Sequence, residues 1–391
     1  MAEALIVAAC RTAIGTAFKG TLAATPALDL ADAVLLNVLE RSGLDPAMLD
    51  DVILGEVNQG GGNIARHAAV RCGLPLVPGL SHNRQCASSL SSLSTAAAGI
   101  VSGMDRAVVA GGVESMSTAP VMRQRLTGTD DWDERWMPPS HPAVPEAPNR
   151  DMSITVGWNT AQRAGLSREE MDAWALRSHQ RAVAAIDEGR FLGEIVPMKV
   201  TTADGSVTVF DTDEHPRRGT SLERLAGLKV LHPEIEGFSI TAGNSSGLND
   251  AAAAMVVVSD DLARREDLSP LGAVRSWAAV GVEPAETGLA PVAAIHKALD
   301  RAGLSTSDIA LWEINEAFAS VPLAASAALD LDPQIINVSG SGCSLGHPIA
   351  ASGARMVTTL LNDLRRVGGR YGVAAMCAGG GMGAAVVLEA L

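Results

Sequence analysis

The sequence predicts a layered α/β protein made of two similar halves, with a segment of different texture inserted between them. Three observations lead there. Short apolar strands alternate with helices rich in small residues, the pattern of a sheet covered by helices. A stretch beginning at Arg41 recurs at Arg301. The region 120–238 breaks the pattern with prolines, tryptophans and clustered charge.

The repeat lays Arg41-Ser-Gly-Leu-Asp-Pro-Ala-Met-Leu-Asp-Asp-Val-Ile-Leu-Gly-Glu56 on Arg301-Ala-Gly-Leu-Ser-Thr-Ser-Asp-Ile-Ala-Leu-Trp-Glu-Ile-Asn-Glu316. Arg, Gly, Leu and the final Glu coincide. In each copy a helix is predicted to end near the glycine, and a short element then leads into an apolar strand. Later in each half a long small-residue helix is expected, Ser88 to Ser102 and Ser352 to Arg366. In the first, Leu90, Leu93, Ala97, Ile100 and Val101 recur at helical spacing. Apolar strands running into glycines follow, at Arg106 to Val113 and Tyr371 to Gly381. The inserted region opens with a loop carrying Trp132, Trp136, Pro138, Pro139, Pro142, Pro145 and Pro148. Its helix starts at the capping box Ser167-Arg-Glu-Glu170 and runs to about Gly189. An excursion of this kind reads as a cover over something. The expected division is 1–119 plus 239–268 for the first half, 120–238 for the inserted lid, and 269–391 for the second half.

Composition bounds the function. At 391 residues the chain has length for two or three domains of ~150 residues. Hydrophobic residues at 47% supply a large core and exclude a disordered polymer. A net charge of −14 argues against a broad nucleic-acid surface but leaves room for a local basic pocket. No apolar run reaches the ~18 residues of a membrane span, and Glu3 stands where a signal peptide would be basic. Five cysteines without a CxxC pair suit a reducing compartment, so a cytoplasmic protein is expected.

Four positions are candidates for chemistry. Cys86, in His82-Asn-Arg-Gln-Cys-Ala-Ser-Ser89, sits at a helix start, where the dipole and free N–H groups favour a thiolate. A buried structural cysteine is the plainer reading, and the polar neighbours shift the balance towards a nucleophile. His347, in Gly346-His-Pro-Ile-Ala-Ala-Ser-Gly353, again precedes a helix, with Pro348 in its first turn. A satisfied polar histidine would look the same. Cys343 lies four residues earlier, but no second Cys/His pair has ligand spacing, so no metal is expected. Cys377 ends an apolar strand before Gly379-Gly-Gly381, a turn able to form an anion nest. Gly340 to Gly346 misses the dinucleotide fingerprint. Asn315, in Asn315-Glu-Ala-Phe-Ala319, reads first as a helix cap.

Taken together these segments resemble the thiolases, acyl-CoA acyltransferases that make or break a carbon–carbon bond. The resemblance runs from Ala4 to the last strand. It rests on Arg11-Thr-Ala-Ile-Gly15, Asn83-Arg-Gln-Cys-Ala-Ser88, Gly111-Gly-Val-Glu-Ser-Met-Ser117, Thr241-Ala-Gly-Asn-Ser-Ser246, Asn315-Glu-Ala-Phe318, Gly346-His-Pro-Ile349 and Cys377-Ala-Gly-Gly-Gly381. It implies a five-layered fold and a role for each residue. Cys86 would attack the 3-keto carbon of a 3-oxoacyl-CoA, and His347 would take its proton. His347 and a water held by Asn315 would bind the enolate oxygen. Cys377 would move the proton on carbon, and the N–H groups of Cys86 and Gly379 would bind the acyl-side oxyanion. Ala242, Gly243, Ser246, Ala317 and Phe318 would line the coenzyme path, and Met152 the substrate pocket. Arg217, with Arg218 and Arg224 beside it, would meet the coenzyme's phosphates.

The resemblance further implies coenzyme A and acyl-CoA as substrates, no tightly bound cofactor, and a homodimer or homotetramer. Two other readings share the fold, a decarboxylating condensing enzyme and an acyl-CoA-binding protein with a dead site. Cys377 opposite Cys86 favours the thiolase. The sequence departs from the family at Asp151, at Met152-Ser-Ile-Thr-Val-Gly157 and over 127–150. An acyl preference other than the shortest chain is expected from those changes.

Overall fold

The computed structural model describes residues 2–391. Its first half comprises β1 (Ala4–Thr12), α1 (Ala27–Ser42), β2 (Asp51–Gly55), β3 (Gly79–His82), α2 (Ser88–Ser102), β4 (Ala107–Ser115) and β5 (Asn249–Ser259). The strands lie in the order β3-β2-β4-β5-β1. The inserted region contributes α3 (Arg168–Asp187). The second half comprises β6 (Gly272–Gly281), α4 (Ala290–Ala302), β7 (Ile309–Ile314), α5 (Ser352–Val367), β8 (Tyr371–Ala378) and β9 (Met382–Ala390), ordered β7-β8-β9-β6.

The two orders are one topology used twice. β2 and β4 are parallel, as are β7 and β8; every other neighbour within a half is antiparallel, save β3, which runs parallel to β2. The counterpart of β3 shrinks to a single parallel bridge between Trp312 and Ile336. The repeated glycines also behave alike. Gly43 and Gly303 end α1 and α4 in the left-handed region, at φ 68° and 67°, where a side chain would be strained.

Five layers result. α1 packs on β1 and β5, and α4 on β6 and β9. Between the sheets lie α2 and α5, whose Leu90, Leu93 and Ile100 share one core with Leu360, Leu361 and Leu364. Small residues let these two helices approach closely. A Cβ at Gly353 would stand 2.7 Å from the backbone nitrogen of Leu90, so no larger residue fits. The sheets also join directly, because Ala4–Ile6 of β1 pair antiparallel with Gly272–Val274 of β6. Packed halves were expected; this shared strand edge was not.

The inserted region is fastened rather than loose. Capped by Ser167 and Glu170, α3 lays Met171, Trp174 and Ala175 into the second-half core. Further on, Ile195 and Val196 pair with Arg11 and Thr12 of β1. Arg11, fully buried, holds both flanks of that crossing: Nε donates to Glu194 at 2.7 Å, and Nη1 and Nη2 donate to Asp213 at 2.7 and 2.8 Å. Thr359 and Asn362 of α5 complete the shell around Glu194.

Candidate active site

Cys86 is presented by a tight turn between β3 and α2. Asn83 Oδ1 accepts from the Gln85 N–H at 2.7 Å, and Ser88 Oγ accepts from the Arg84 N–H while donating to the Gln85 carbonyl. Gln85 is held at φ 49°, a strained setting for a residue with a side chain. That strain points the next residue, Cys86, at the glycine turn after β8. The N–H of Gly379 and that of Cys86 itself reach the thiol. Burial nevertheless dominates and pushes the Cys86 thiol up to about 11, with the Glu114 charge adding to the rise. The helix start was expected to favour a thiolate. Desolvation outweighs those donors, and the resting group is a thiol.

Cys377 lies beside it, its own thiol raised first by burial and then by the neighbouring Cys86. Met152 borders the same spot: a Cβ on Gly379 would be 3.7 Å from its sulfur and equally far from Gln85 Cγ. The 127–150 loop covers the turn, since a Cβ on Gly380 would meet the Ser140 carbonyl oxygen at 2.9 Å.

His347 and Asn315 form the second group. The His347 N–H donates to Asn249 Oδ1 at 2.9 Å, and its Nδ1 lies 2.6 Å from Ser352 Oγ. Ser352 spends its own hydrogen on the Pro348 carbonyl at 2.9 Å. Its oxygen must therefore accept from Nδ1–H, which leaves Nε2 with the lone pair. Burial lowers His347 to about 3, helped by the charge of Arg355, so the ring is neutral. Asn315 Nδ2 sits 3.4 and 3.5 Å from the ring nitrogens, and its buried Oδ1 has no partner among the described residues.

Two buried carboxylates tie these groups together. Glu114 accepts from the N–H of Asn58, from Gln59 Nε2 and from the N–H of Ala350, three residues past His347. Glu316 accepts from Trp174 Nε1 (2.9 Å), Asn337 Nδ2 (2.9 Å), Ser178 Oγ (2.5 Å) and the Cys343 N–H (3.1 Å). Cys343 is thereby part of this support, and no group of three or more metal-ligating side chains exists among the described residues. Asn249 and Ser352 escaped the sequence reading. Nothing local marks Asn249, whose partner lies 98 residues away, while Ser352, five residues past His347, was read only as a helix start.

The coenzyme candidates divide. Arg217, Ala242 and Gly243 line one cleft of about 320 Å³, with His179, His215 and Arg224. Arg217 is exposed and its guanidinium has no partner among the described residues, whereas Arg224 Nη1 is bonded to the Gly219 carbonyl. Arg218 is tied to Asp187 at 2.6 and 2.8 Å and does not line the cleft. Ser246, Ala317 and Phe318 lie outside that cleft. They are joined to one another by backbone pairing, Ser246 N–H to the Ala317 carbonyl at 2.9 Å and a bridge between Ser245 and Phe318, and the chain runs on from Gly243 at the cleft to Ser246.

The departures at 151 and 157 have packing reasons. Asp151 caps the following helical stretch through Ser153 and pairs with His232 Nε2 at 2.8 Å. At Gly157 a Cβ would stand 2.8 Å from the Phe318 ring.

A family model described as the thiolase N-terminal domain matches residues 4–261, and one described as the thiolase C-terminal domain matches 268–390. An acetyl-CoA acetyltransferase of Pseudomonas aeruginosa is 43% identical over 402 aligned residues, covering 99% of each chain. A beta-ketoadipyl-CoA thiolase of Acinetobacter baylyi is 40% identical and covers 100% of both. Among solved structures, human mitochondrial 3-ketoacyl-CoA thiolase superposes with a TM-score of 0.91 at 36% identity, covering 100% of this chain and 99% of that one. The Bacillus anthracis acetyl-CoA acetyltransferase gives 0.89 at 38%, with the same coverage.

Proposed function

Since the chain belongs to the thiolase family and is an acyl-CoA acyltransferase, we propose that Cys86, His347, Asn315 and Cys377 carry its chemistry in the following order. In the cleavage direction Cys86 Sγ attacks the 3-keto carbon of a 3-oxoacyl-CoA, and its proton passes to His347 Nε2. The resulting alkoxide lies on the N–H groups of Cys86 and Gly379. The C2–C3 bond then breaks. The acyl group stays on Cys86 as a thioester, and the electron pair leaves as the enolate of acetyl-CoA.

The protonated Nε2 and a water on Asn315 Oδ1 meet the enolate oxygen, and Cys377 gives its proton to C2. A second coenzyme A thiol then gives its proton to the Cys377 thiolate and attacks the thioester; the Cys86 sulfur leaves with the proton held on His347 Nε2, so both thiols are restored. Condensation is the same path reversed. The observation that carries this reading is the meeting of the Cys377 thiol and the Gly379 N–H at the Cys86 thiol, with Nε2 of His347 left as an acceptor. Both cysteines resting as thiols suits it, because one must lose a proton only on attack and the other must have one to give.

The coenzyme is proposed to enter along Ala242 and Gly243, with Ser246, Ala317 and Phe318 further in and Arg217 at its phosphates. Met152 is proposed to border the acyl group. A cytoplasmic homodimer or homotetramer working on fatty acyl chains is the accompanying proposal. It is supported by five free thiols, by the uncovered edge strand β3, and by Leu76 beside it, 96% exposed. No helix among the described residues is long and apolar enough to cross a membrane.

The test separates the two cysteines. Cys377→Ala should still load Cys86 from acetyl-CoA, seen as an acetylated peptide by mass, yet lose ~10²–10⁴-fold in condensation and in exchange of the acetyl methyl protons. Cys86→Ala should lose loading as well. Full condensation by Cys377→Ala would overturn the assignment.

A further inference from the structure

The chain from Leu228 to Gly243 folds back on itself. Val230 bridges to Thr241, and the Leu231 N–H donates to the Ile240 carbonyl at 2.9 Å. One arm begins at Leu228 and the other ends on Ala242 and Gly243, and all three line the cleft of Arg217. The arms meet closely, since a Cβ on Gly243 would stand 2.5 Å from Leu228 Cδ1. At the tip Pro233, Glu234, Glu236 and Gly237 are exposed, while Ile235 and Phe238 pack on the second-half core. Among the described residues a single ion pair ties this segment to the rest of the protein, His232 with Asp151.

His232 has a carboxylate on each ring nitrogen. Asp151 Oδ2 lies 2.8 Å from Nε2, and Glu234 Oε1 lies 2.7 Å from Nδ1. A neutral imidazole has one N–H and one lone pair, so only the imidazolium donates to both. These two are the charged groups that face the ring, Glu234 from its own segment and Asp151 from the turn before the helical stretch 153–158. Phe238, edge-on with ring centroids 5.0 Å apart, brings no charge. The Glu234 hydrogen bond, outweighing burial, and then the Asp151 charge hold His232 above the ordinary histidine range. Asp151 is the firmer partner, because its Oδ1 also accepts from the Ser153 N–H at 3.0 Å and from Ser153 Oγ at 2.6 Å. Its chain neighbour is Met152.

We propose that Asp151 and His232 are a positioning pair, which holds the Leu228–Gly243 segment against the turn that carries Met152 and so keeps the two walls of the acyl-CoA path together. The proposal rests on the reading of Ala242, Gly243 and Met152 as those walls, and the pair acts through them rather than on the reacting atoms. The proton on His232 is part of the device. Below the ordinary histidine value of ~6.5 the ring is fully charged, and the ion pair's contribution is lost as pH rises through the raised value. The single N–H then left serves one carboxylate, without the charge that roughly doubles such a bond. The grip on acyl-CoA therefore slackens as pH rises. It does so in KM rather than kcat, because Cys86, His347 and Cys377 stand on other elements.

The comparison is with His232→Gln, whose amide N–H stands in for the neutral ring, at pH 6 and pH 9 in the assembled protein. Taking ratios to the wild type at each pH removes every titration the two share. The variant's KM for acetoacetyl-CoA should be about threefold higher at pH 6, the worth of charge assistance on one partly exposed bond, and equal at pH 9. The kcat ratio should stay near one at both. Hydrogen–deuterium exchange over 228–243 needs no turnover and should follow the same pattern, about threefold less protection in the variant at pH 6 and none at pH 9. Asp151→Asn, whose amide oxygen still accepts from Ser153, should repeat both results and serves if His232→Gln does not fold. A ratio independent of pH, an effect confined to kcat, or exchange that shifts while KM does not would each overturn the proposal. Were the acyl-transfer roles themselves wrong, the cysteine variants above would show it and the exchange ratio would still stand.

Discussion

Iodoacetamide should alkylate Cys86 at a rate that climbs about tenfold per pH unit from pH 7 to pH 10, without levelling off. Only the thiolate reacts. With the thiol pushed up to about 11 by burial, the thiolate fraction is ~10⁻⁴ at pH 7 and the rate gains ~10³ over the range. An ordinary exposed thiol near 8.5 gains only about 30-fold and is flat above pH 9. A thiolate–imidazolium pair would be flat throughout, and His347, lowered to about 3, has no charge to offer one. His347→Ala should therefore leave the slope unchanged while abolishing turnover. Cys72 is also partly accessible, so the rate must be followed on the peptide carrying Cys86 by mass. A plateau below pH 8 would refute the reasoning. It would mean that the N–H groups of Cys86 and Gly379 outweigh desolvation, as the helix-start argument from sequence holds.

Two further predictions concern binding and the frame. Arg217→Ala should raise the Michaelis constant for coenzyme A more than for a pantetheine substrate lacking the nucleotide, because the Arg217 guanidinium lines the cleft with no partner among the described residues; equal effects on both would remove it from the phosphates. Arg11→Met should cost about 3–5 kcal/mol in urea unfolding, since it strands Glu194 and Asp213 as buried charges. Stranded carboxylates have raised folded pKa values, which favour the folded state at low pH and lose that contribution as pH rises. The deficit should accordingly be smaller at pH 5 than at pH 8, and a loss below about 1 kcal/mol would count against the network.

Much of the frame was legible because it rests on local signals. The glycines after Ser42 and Ala302, the capping box at Ser167 and the helical spacing of Leu90, Leu93 and Ile100 each act over a few residues. The repeat carried more than its motifs, since two halves of like sequence took the same strand order. The β1–β6 junction was hidden, because strand edges carry no mark of which edge they will meet. So was the fastening of the inserted region, where Arg11 pairs across 183 and 202 residues. At the site, the motifs marked Cys86, His347, Asn315 and Cys377. They did not give the tautomer of His347, which depends on where Ser352 sends its hydrogen, nor the state of Cys86, which depends on burial.

The doubled topology also accounts for where the proposed chemistry lies. Cys86 precedes α2, and His347 precedes α5, the helix that occupies the same place in the other half. Both helices have alanine at the capping position before their first residue, Ala87 and Ala351, and neither start has a side-chain cap. A Ser, Thr, Asp or Asn there would ordinarily add ~1 kcal/mol. Instead the two starts lean on each other, the Ala354 N–H donating to Ser89 Oγ at 2.9 Å, so that two positive helix ends converge between the sheets. At rest these ends do not ionise Cys86. In the proposed reaction their field would be felt when negative charge moves onto the alkoxide and enolate oxygens, and this is the condition for lowering a barrier rather than stabilising the free enzyme. A neutral resting pair between two converging helix starts thus suits the charge that appears in the proposed reaction, and folding one α/β unit twice supplies both ends.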